Sequence, residues 1–539
     1  MLFPLFPGQN FSPLTAPHGM VVSDHRLASE VGRDAMKRGG NAVDAAVATA
    51  FALAVTVPAA GNLGGGGFMM VRLADGKSVA IDFRETAPAA STRDMYLARS
   101  EDSTVGYRAV GIPGSPAGLW EAHRRYGKLP WRSLVEPARR LAAEGFPLSR
   151  ELARSLQGKA DAFKAFPESY RQFNRGGRFY KGGETWKQPQ LAAALGRLKE
   201  GPDDFYRGKT AKMLTDAMKA NRGLITMKDL AAYKPVLRET LKGVFGKYEV
   251  LTMPPPSSGG IALLQMLATV EGRIDGFGSV QTTHTMVEAM KRAFADRAEF
   301  LGDPGFVQVP VEKLLAKERI DAFRADLGST ATPAEQINPK LDAPHEGDNT
   351  THFTVVDGAG NAVACTTTLN TSYGSGVTAA GFLLNNEMDD FASAPGRPNA
   401  YGLIQGEANA IRPGKRPLSS MTPTFLVKDG KLVLALGSPG GPTIINTVFQ
   451  TILNVTIHGM DIQRAVAAPR FHHQWRPDSI AWEPYAFTAD LQAALKAKGH
   501  AVSPKPGSMG SCHAVMILPD GWRSAGVDPR LADSSASGY

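Results

Sequence analysis

The sequence predicts an α+β fold in which antiparallel β-hairpins are combined with helices. Paired runs of β-favouring residues joined by short turns rich in Gly, Asp and Lys indicate three hairpins. They cover residues 68–84, 350–369 and 424–436. Amphipathic periodicity predicts helices elsewhere, including a long one over 283–300. Strands joined by tight turns pair antiparallel, so we expect the two strands of each hairpin to be antiparallel.

Helix signals and a glycine run define the segment before the first hairpin. Residues 29–38 have helical periodicity and stop at a Gly-Gly pair. Asn41 can cap a second helix over 42–56, which Pro58 ends. Residues 61–67 contain five glycines. We expect this run to be a loop whose backbone passes close to a bulky neighbour.

The middle of the chain is predicted to be mostly helical, and a connector follows it. Residues 119–234 contain helical segments separated by glycine breaks, and the proline-rich turn at 254–260 precedes another helix. Residues 328–349 are polar and contain proline, which is typical of an exposed connector. A further apolar helix is expected over 444–455.

Composition argues against several classes of protein. The 539 residues are 43% hydrophobic, as in a globular protein with a core, and length alone allows several domains or one large compact unit. The net charge is +9, but the basic residues are scattered along the chain, so we expect no nucleic-acid partner. The apolar run 42–57 is short and carries Asp44, so we expect no membrane span. Cys365 and Cys512 lack metal-site spacing and are expected to be buried thiols, with a disulfide as the alternative.

Three familiar motifs are not supported. The glycine run lacks a following Gly-Lys-Ser/Thr and follows a helix, so it is neither a phosphate loop nor a dinucleotide fingerprint. No Gly-x-Ser-x-Gly elbow with a plausible triad is present. Adjacent residues on a strand point to opposite faces, so His472 and His473 are expected to be structural rather than metal ligands. We expect no metal and no cofactor.

Thr350 has the chemistry of a nucleophile if the bond before it is cut. A hydroxyl nucleophile needs a nearby base, and an N-terminal threonine carries one in its own α-amine. The ordinary pKa of such an amine is about 7.7–8.0, so much of it is neutral near neutral pH. The connector that ends at Asn349 is predicted to be exposed, and the bond before Thr350 must be accessible if it is to be cut. Taken alone, Thr350-Thr351 is better explained as the start of a β-strand, since threonine favours strands.

Eight motifs in a fixed order make this sequence resemble the γ-glutamyltranspeptidase family of N-terminal-nucleophile hydrolases. The resemblance covers nearly the whole chain. The motifs occupy residues 39–46, 61–68, 82–85, 254–260, 349–352 with 368–370, 384–391, 415–421 and 437–441.

The resemblance implies a four-layer αββα sandwich with antiparallel sheets between helical layers. It also implies cleavage between Asn349 and Thr350, giving a large subunit, residues 1–349, and a small subunit, residues 350–539, that remain intertwined as a heterodimer. Thr350 would then attack glutathione or another γ-glutamyl compound. Water would complete hydrolysis of the resulting ester, and an amino acid or dipeptide acceptor would complete transpeptidation.

The resemblance also assigns residues to the α-carboxylate of the substrate. Arg84 would hold it as a two-pronged donor, and the hydroxyls of Ser419 and Ser420 would add two more hydrogen bonds. Its α-ammonium group would meet Asn370, Glu387 and Asp390. We prefer Asp390 to Asp389 because two adjacent acids on one strand cannot both point inward.

The remaining assignments concern the reacting atoms and the pocket entrance. The N–H groups of Gly440 and Gly441 would form the oxyanion hole, where loss of one donor typically raises the barrier by about 2.7–4 kcal/mol. Thr368 would orient Thr350 during self-cleavage, and Tyr401 would belong to a lid.

Two alternatives and one unresolved expectation accompany these assignments. A glutaryl-cephalosporin-type acylase of the same superfamily would share Thr350 but needs no ammonium site. A non-catalytic γ-glutamyl or amino-acid binding protein would keep Arg84 without needing Thr350. The resemblance implies a periplasmic location, whereas residues 1–14 do not resemble an export signal, because they have no early Lys or Arg and because Pro4 and Pro7 interrupt their apolar run.

Overall fold

A computed structural model describes residues 12–337, 350–392 and 406–539. The strands are β1 Thr15–Ala16, β2 Met20–Ser23, β3 Gly66–Arg72, β4 Ser78–Asp82, β5 Phe146–Pro147, β6 Asn174–Arg175, β7 Arg178–Phe179, β8 Thr185–Trp186, β9 Val236–Arg238, β10 Leu241–Phe245, β11 Tyr248–Thr252, β12 Thr350–Val356, β13 Ala362–Thr368, β14 Thr378–Ala379, β15 Phe382–Leu383, β16 Thr424–Lys428, β17 Lys431–Gly437, β18 Phe471–His472, β19 Ala481–Trp482, β20 His513–Ile517, β21 Arg523–Val527 and β22 Ser535–Gly538.

The helices are α1 Arg26–Lys37, α2 Ala42–Thr56, α3 Ser115–Tyr126, α4 Trp131–Glu144, α5 Arg150–Gly158, α6 Ala160–Lys164, α7 Pro167–Phe173, α8 Pro189–Leu198, α9 Asp203–Arg207, α10 Lys209–Ala220, α11 Met227–Ala232, α12 Gly259–Val270, α13 Val280–Phe300, α14 Val311–Leu314, α15 Lys317–Ala325, α16 Ala334–Ile337, α17 Thr443–Thr456, α18 Ile462–Ala467 and α19 Ala489–Ala497.

Two seven-stranded antiparallel sheets form the centre of the molecule. The first, the nucleophile sheet, has the order β22-β2-β12-β13-β3-β4-β9. The second, the partner sheet, has the order β1-β21-β20-β17-β16-β11-β10. In the nucleophile sheet the predicted hairpins β3–β4 and β12–β13 lie side by side, because β13 also pairs with β3.

The sheets and helices form the expected four layers. Apolar side chains from both sheets, such as Phe68 and Phe425, fill the space between them. Helices α1 and α2 cover the outer face of the nucleophile sheet, and α12, α17 and α18 cover the outer face of the partner sheet. The predicted αββα sandwich is confirmed.

Helix α2 illustrates how the sequence specifies this packing. Asn41 and Asp44 form the expected capping box, since each side chain accepts a hydrogen bond from the other's backbone N–H. All 15 residues of the helix are buried, and seven of them are alanines, whose small side chains let it lie close to β12 and β13. This alanine-rich run is therefore a core helix.

The glycine run passes close to its neighbours, as its composition predicts. A Cβ added at Gly65 would lie 2.1 Å from the carbonyl oxygen of Thr368, and one at Gly67 would lie 2.3 Å from that of Thr366. Any larger residue would push the loop away from β13. The loop is thus fitted against the strand that pairs with Thr350.

Several boundaries differ from the sequence prediction for local reasons. Helix α1 begins at Arg26 rather than at residue 29, because the His25 side chain accepts a hydrogen bond from Leu27 N and caps it earlier. Residues 119–234 include the short strand pairs β5–β8 and β6–β7 between helices. The structure describes the predicted connector only as far as residue 337.

Both cysteines are free and buried. Among the described residues, no helix is long and apolar enough to cross a membrane.

Candidate active site

Thr350 lies at the start of β12, directly opposite Thr368 at the end of β13. Its hydroxyl donates a hydrogen bond to Thr368 Oγ1 at 3.5 Å. Thr368 Oγ1 also accepts the backbone N–H of Asn370 at 2.8 Å, which fixes the position of that oxygen. The structure therefore brings together the predicted nucleophile and the threonine expected to orient it.

Asn62 holds the end of β13 from the glycine loop. Its side-chain nitrogen donates to Thr367 Oγ1 and to the Thr368 carbonyl, both at 2.8 Å. Its side-chain oxygen accepts from Gly65 N at 3.0 Å. Sequence reasoning placed Asn62 in a family motif but gave it no role. The bonds to Thr367 and Thr368 connect the loop to the strand that orients Thr350.

The predicted oxyanion hole lies in the loop between β17 and α17. Gly440 and Gly441 have φ values of +123° and +54°, a region that favours glycine. In the described parts of the chain, neither N–H donates a hydrogen bond. Gly437, which ends β17, lies against the ring of His352 on β12, since a Cβ there would be 2.2 Å from that ring. The loop thus starts beside the nucleophile strand with two N–H groups available.

Arg84 is fully buried and forms ion pairs with the two acids expected to bind the ammonium group. Its Nη1 pairs with Glu387 and its Nη2 with Asp390. Nη2 also donates to the Leu418 carbonyl at 3.2 Å. The residues predicted for the two charges of the substrate therefore lie together and form ion pairs with one another.

The acids lie on a 3₁₀ turn, Glu387–Asp390, rather than on a strand. Asn385 positions this turn, because its side-chain oxygen accepts the backbone N–H of Glu387 at 2.9 Å. Asp390 pairs with Arg84, whereas Asp389 accepts a hydrogen bond from Ser103 Oγ at 2.6 Å. The structure thus pairs Asp390 with Arg84, but the reason given from the sequence is wrong, because both acids are buried and lie on a 3₁₀ turn rather than on a strand.

The other predicted substrate contacts are buried polar groups. Ser420 Oγ is buried and has no hydrogen-bond partner among the described residues, and Ser419 Oγ accepts only from Met421 N, at 3.2 Å. Asn370 adopts a left-handed φ of +76° and donates to the Asn386 carbonyl at 3.0 Å. The unpartnered hydroxyl of Ser420 is the kind of group that a bound carboxylate satisfies.

Glu85 is a functional candidate that sequence reasoning treated only as a partner of Arg84. Its side chain is fully buried, and one carboxylate oxygen lies 4.0 Å from Arg84 Nη1. Within the described residues, neither oxygen has a hydrogen-bond partner in another residue. Burial raises the pKa of Glu85 to about 8, although Arg84 acts in the opposite direction. Burial also raises the pKa of Glu387 above its usual range, and here too the paired Arg84 acts in the opposite direction.

These raised pKa values predict a dependence of stability on pH. The unfolded chain releases the Glu85 proton near its ordinary pKa of 4.5, while the folded protein keeps it up to about 8. The free energy of unfolding therefore falls as pH rises through this interval. We expect Glu85→Gln to reduce the fall in Tm between pH 5 and pH 8, with Glu30→Gln on the surface as the control. Equal slopes for Glu85→Gln and the native protein would contradict this.

Two predicted residues, Asn349 and Tyr401, lie outside the described residues. The cut site before Thr350 and the lid are therefore known only as sequence predictions. His472 and His473 are both buried, and each has a polar partner: Asn446 for His472 at 2.7 Å and Asp478 for His473 at 3.1 Å. The structural role expected for them is consistent with these contacts.

One other cluster has potential metal ligands. Atoms of His284, Glu288 and His500 lie within 4.8 Å of one another. The two imidazoles bond to each other at 2.8 Å, and His284 Nε2 bonds to the Gly328 carbonyl at 2.9 Å. Glu288 pairs with Arg292 at 2.7 Å. Because both ring nitrogens of His284 are hydrogen-bonded and Glu288 is paired with Arg292, we assign the cluster a structural role at the start of the connector.

The arrangement agrees with what this chain is similar to. The model of the family described as Gamma-glutamyltranspeptidase matches residues 28–538. The chain belongs to the gamma-glutamyltranspeptidase family. It is 47% identical to a glutathione hydrolase proenzyme of Escherichia coli (strain K12), a match that covers 98% of this chain and 93% of that protein. The family recognised from the eight motifs is thus confirmed, and so is the expectation that the protein is an enzyme.

Acylases are also among the proteins similar to this member of the family. The acylase ACY 1 proenzyme of Pseudomonas sp. (strain V22) is 38% identical, over 97% of this chain and 95% of its own length. The crystal structure of a cephalosporin acylase from Bacillus halodurans superposes with a TM-score of 0.88 and 29% identity, covering 100% of this chain and 99% of the acylase. Residues of the site must therefore distinguish the two activities.

Proposed function

We propose that this protein is a γ-glutamyltransferase and glutathione hydrolase that cleaves itself between Asn349 and Thr350. Residues 1–349 and 350–539 then act together as a heterodimer of large and small subunits. The enzyme transfers the γ-glutamyl group of glutathione and related compounds to water or to amino-acid and dipeptide acceptors.

The observation that carries this proposal is the buried charge set around Arg84. A γ-glutamyl group has an α-carboxylate and an α-ammonium on one carbon atom. Arg84 is matched to the carboxylate, and Glu387 and Asp390 are matched to the ammonium. These side chains pair with one another in the free protein. Because the substrate brings one charge of each sign, it can enter between them and leave every charge with a partner.

The reaction uses the N-terminal residue of the small subunit as nucleophile and base. The α-amine of Thr350 accepts the proton of its hydroxyl as Oγ1 bonds to the γ-carbonyl carbon of the substrate. The N–H groups of Gly440 and Gly441 would stabilise the oxyanion of the tetrahedral intermediate. Its collapse breaks the amide bond, and the leaving amine takes the proton from the α-amine. Water or an acceptor amine then attacks the ester and releases Thr350.

A comparison of two substrates separates this activity from that of an acylase. A glutaryl anilide lacks only the α-ammonium group of the matching γ-glutamyl anilide. Loss of hydrogen bonds to charged groups costs about 1.5–3 kcal/mol each, so we expect kcat/KM to be at least about 100-fold lower for the glutaryl compound. Steady-state kinetics with both anilides measure the ratio.

Two variants give that experiment a matched control. Asp390→Asn removes a carboxylate that pairs with Arg84 and should narrow the preference for the γ-glutamyl anilide. Asp389→Asn changes the neighbouring acid, which bonds to Ser103, and should leave the preference intact. A native enzyme that prefers the glutaryl anilide would favour the acylase. Binding of γ-glutamyl compounds without turnover would favour a non-catalytic binding protein.

A further inference from the structure

Asp24 forms two buried hydrogen bonds directly behind the nucleophile. It follows β2 and is 4% exposed. Its Oδ2 accepts from the hydroxyl of Thr351 at 2.5 Å, and its Oδ1 accepts from His513 Nε2 at 2.5 Å. A carboxylate oxygen can only accept, so the ring of His513 presents its Nε2–H to Asp24. One side chain therefore contacts both the residue after Thr350 and the first residue of β20.

His513 leads to the loop that carries the oxyanion hole. It lies opposite Gly437 in the pairing of β20 with β17, and Gly437 ends the strand just before that loop. Ser511 N donates to Ser438 Oγ at 2.9 Å. Gly510 is so close that a Cβ on Gly440 would lie 2.9 Å from its Cα. Residues 510–513 are thus packed directly against the Gly440–Gly441 loop.

Asp24 consequently connects two sheets at the point where the reaction takes place. β12 belongs to the nucleophile sheet, whereas β17 and β20 belong to the partner sheet. Most of the contact between the sheets is apolar, and apolar packing is non-directional. A second polar contact, from Thr354 Oγ1 to the His513 carbonyl at 3.0 Å, lies on the same two strands. These directional bonds can set the spacing between the sheets.

We propose that Asp24 is a positioning residue that fixes Thr350 relative to the N–H groups of Gly440 and Gly441. The proposal rests on the proposed function, because it assigns that loop to the oxyanion. Oxyanion-hole donors act at about 2.7–3.1 Å from the oxyanion, and a misplacement of about 1 Å can cost about 100-fold in rate. Asp24 touches neither the reacting atoms nor the charge set around Arg84, so it affects rate and not substrate binding.

Asp24→Asn tests this role. The amide oxygen can accept from the His513 N–H, but the amide N–H₂ group then has to donate to the Thr351 hydroxyl, which reverses that hydrogen bond and removes the charge that strengthens both bonds. We expect kcat per cleaved subunit to fall about 10- to 100-fold while KM stays within twofold. Self-cleavage should slow as well. Gels quantify the cleaved fraction, and kinetics with a γ-glutamyl anilide give kcat and KM.

Variants of His513 distinguish positioning from general stability. His513→Gln keeps a side-chain N–H donor, whereas His513→Leu does not, so we expect the glutamine variant to retain most of the kcat lost in the leucine variant. Asp44→Asn is the control, since Asp44 is another buried carboxylate that accepts backbone N–H groups far from Thr350. It should lower Tm without changing kcat.

Two outcomes would overturn the proposal. In the first, the Asp24→Asn variant has a lower Tm but the same kcat per cleaved subunit as the native protein, which would make Asp24 purely structural. In the second, His513→Gln and His513→Leu lower kcat by the same factor, which would show that the N–H donor of His513 does not position Thr350. Failure of the proposed function is distinguishable, because it would be seen as native protein without γ-glutamyl turnover. If Asp24→Asn does not fold, the two His513 variants decide.

Discussion

Replacing Thr350 with alanine is expected to leave one uncut chain without activity. Alanine has no hydroxyl to attack the Asn349 carbonyl, so neither the cut nor the later ester can form. Loss of a catalytic nucleophile costs on the order of 10⁶-fold in a serine protease, and we expect at least about 10⁴-fold here. Intact mass under denaturing conditions and turnover of a γ-glutamyl anilide measure the two effects.

Thr350→Ser is the control for that experiment. Serine keeps both the hydroxyl and, after cleavage, the α-amine, so the chain should still be cut and should retain measurable activity. In the native protein, sequencing of the small subunit should return Thr-Thr-His-Phe. Native protein that stays full length and still hydrolyses glutathione would show that Thr350 is not released as an N-terminus, and the mechanism would lose its base.

Local sequence signals were sufficient to predict the hairpins and α2. Alternation, turn residues and capping act over a few residues, so β12, β13 and the Asn41 cap agree with what their sequences predict. The order of strands within each sheet is a different matter. The pairing of β12 with β2 joins segments more than 300 residues apart, and no periodicity indicates it. The four-layer arrangement could be predicted only through the family resemblance.

The candidate site shows the same division. Residues inside family motifs, such as Arg84 and Asp390, were found because the motif surrounds them. Asp24 and His513 lie outside those motifs, and their contact depends on how two sheets stack. The charge pairing of Arg84 with Glu387 was also not predicted, because the motifs assign these residues to opposite charges of the substrate and contain no information about the free protein.

Arg84→Ala is expected to weaken both substrate binding and the fold. Arg84 is fully buried among Glu85, Glu387 and Asp390, and its removal leaves these carboxyl groups without their cation. Breaking a buried ion pair by removing one partner typically costs about 3–5 kcal/mol, and we expect a loss of this size in the free energy of unfolding. We also expect KM to rise at least about 100-fold, because the α-carboxylate loses its two-pronged donor.

A double variant separates the two effects of Arg84. In Arg84→Ala/Glu387→Gln, one of the unpaired acids becomes neutral, so part of the lost stability should return while KM stays high. Arg84→Lys keeps the charge without the planar fork, so its KM should lie between those of the native protein and Arg84→Ala. Denaturant unfolding and steady-state kinetics measure the two quantities on the same samples. An unchanged KM in Arg84→Ala would remove Arg84 from substrate binding and leave it as the counter-ion of a structural acid cluster.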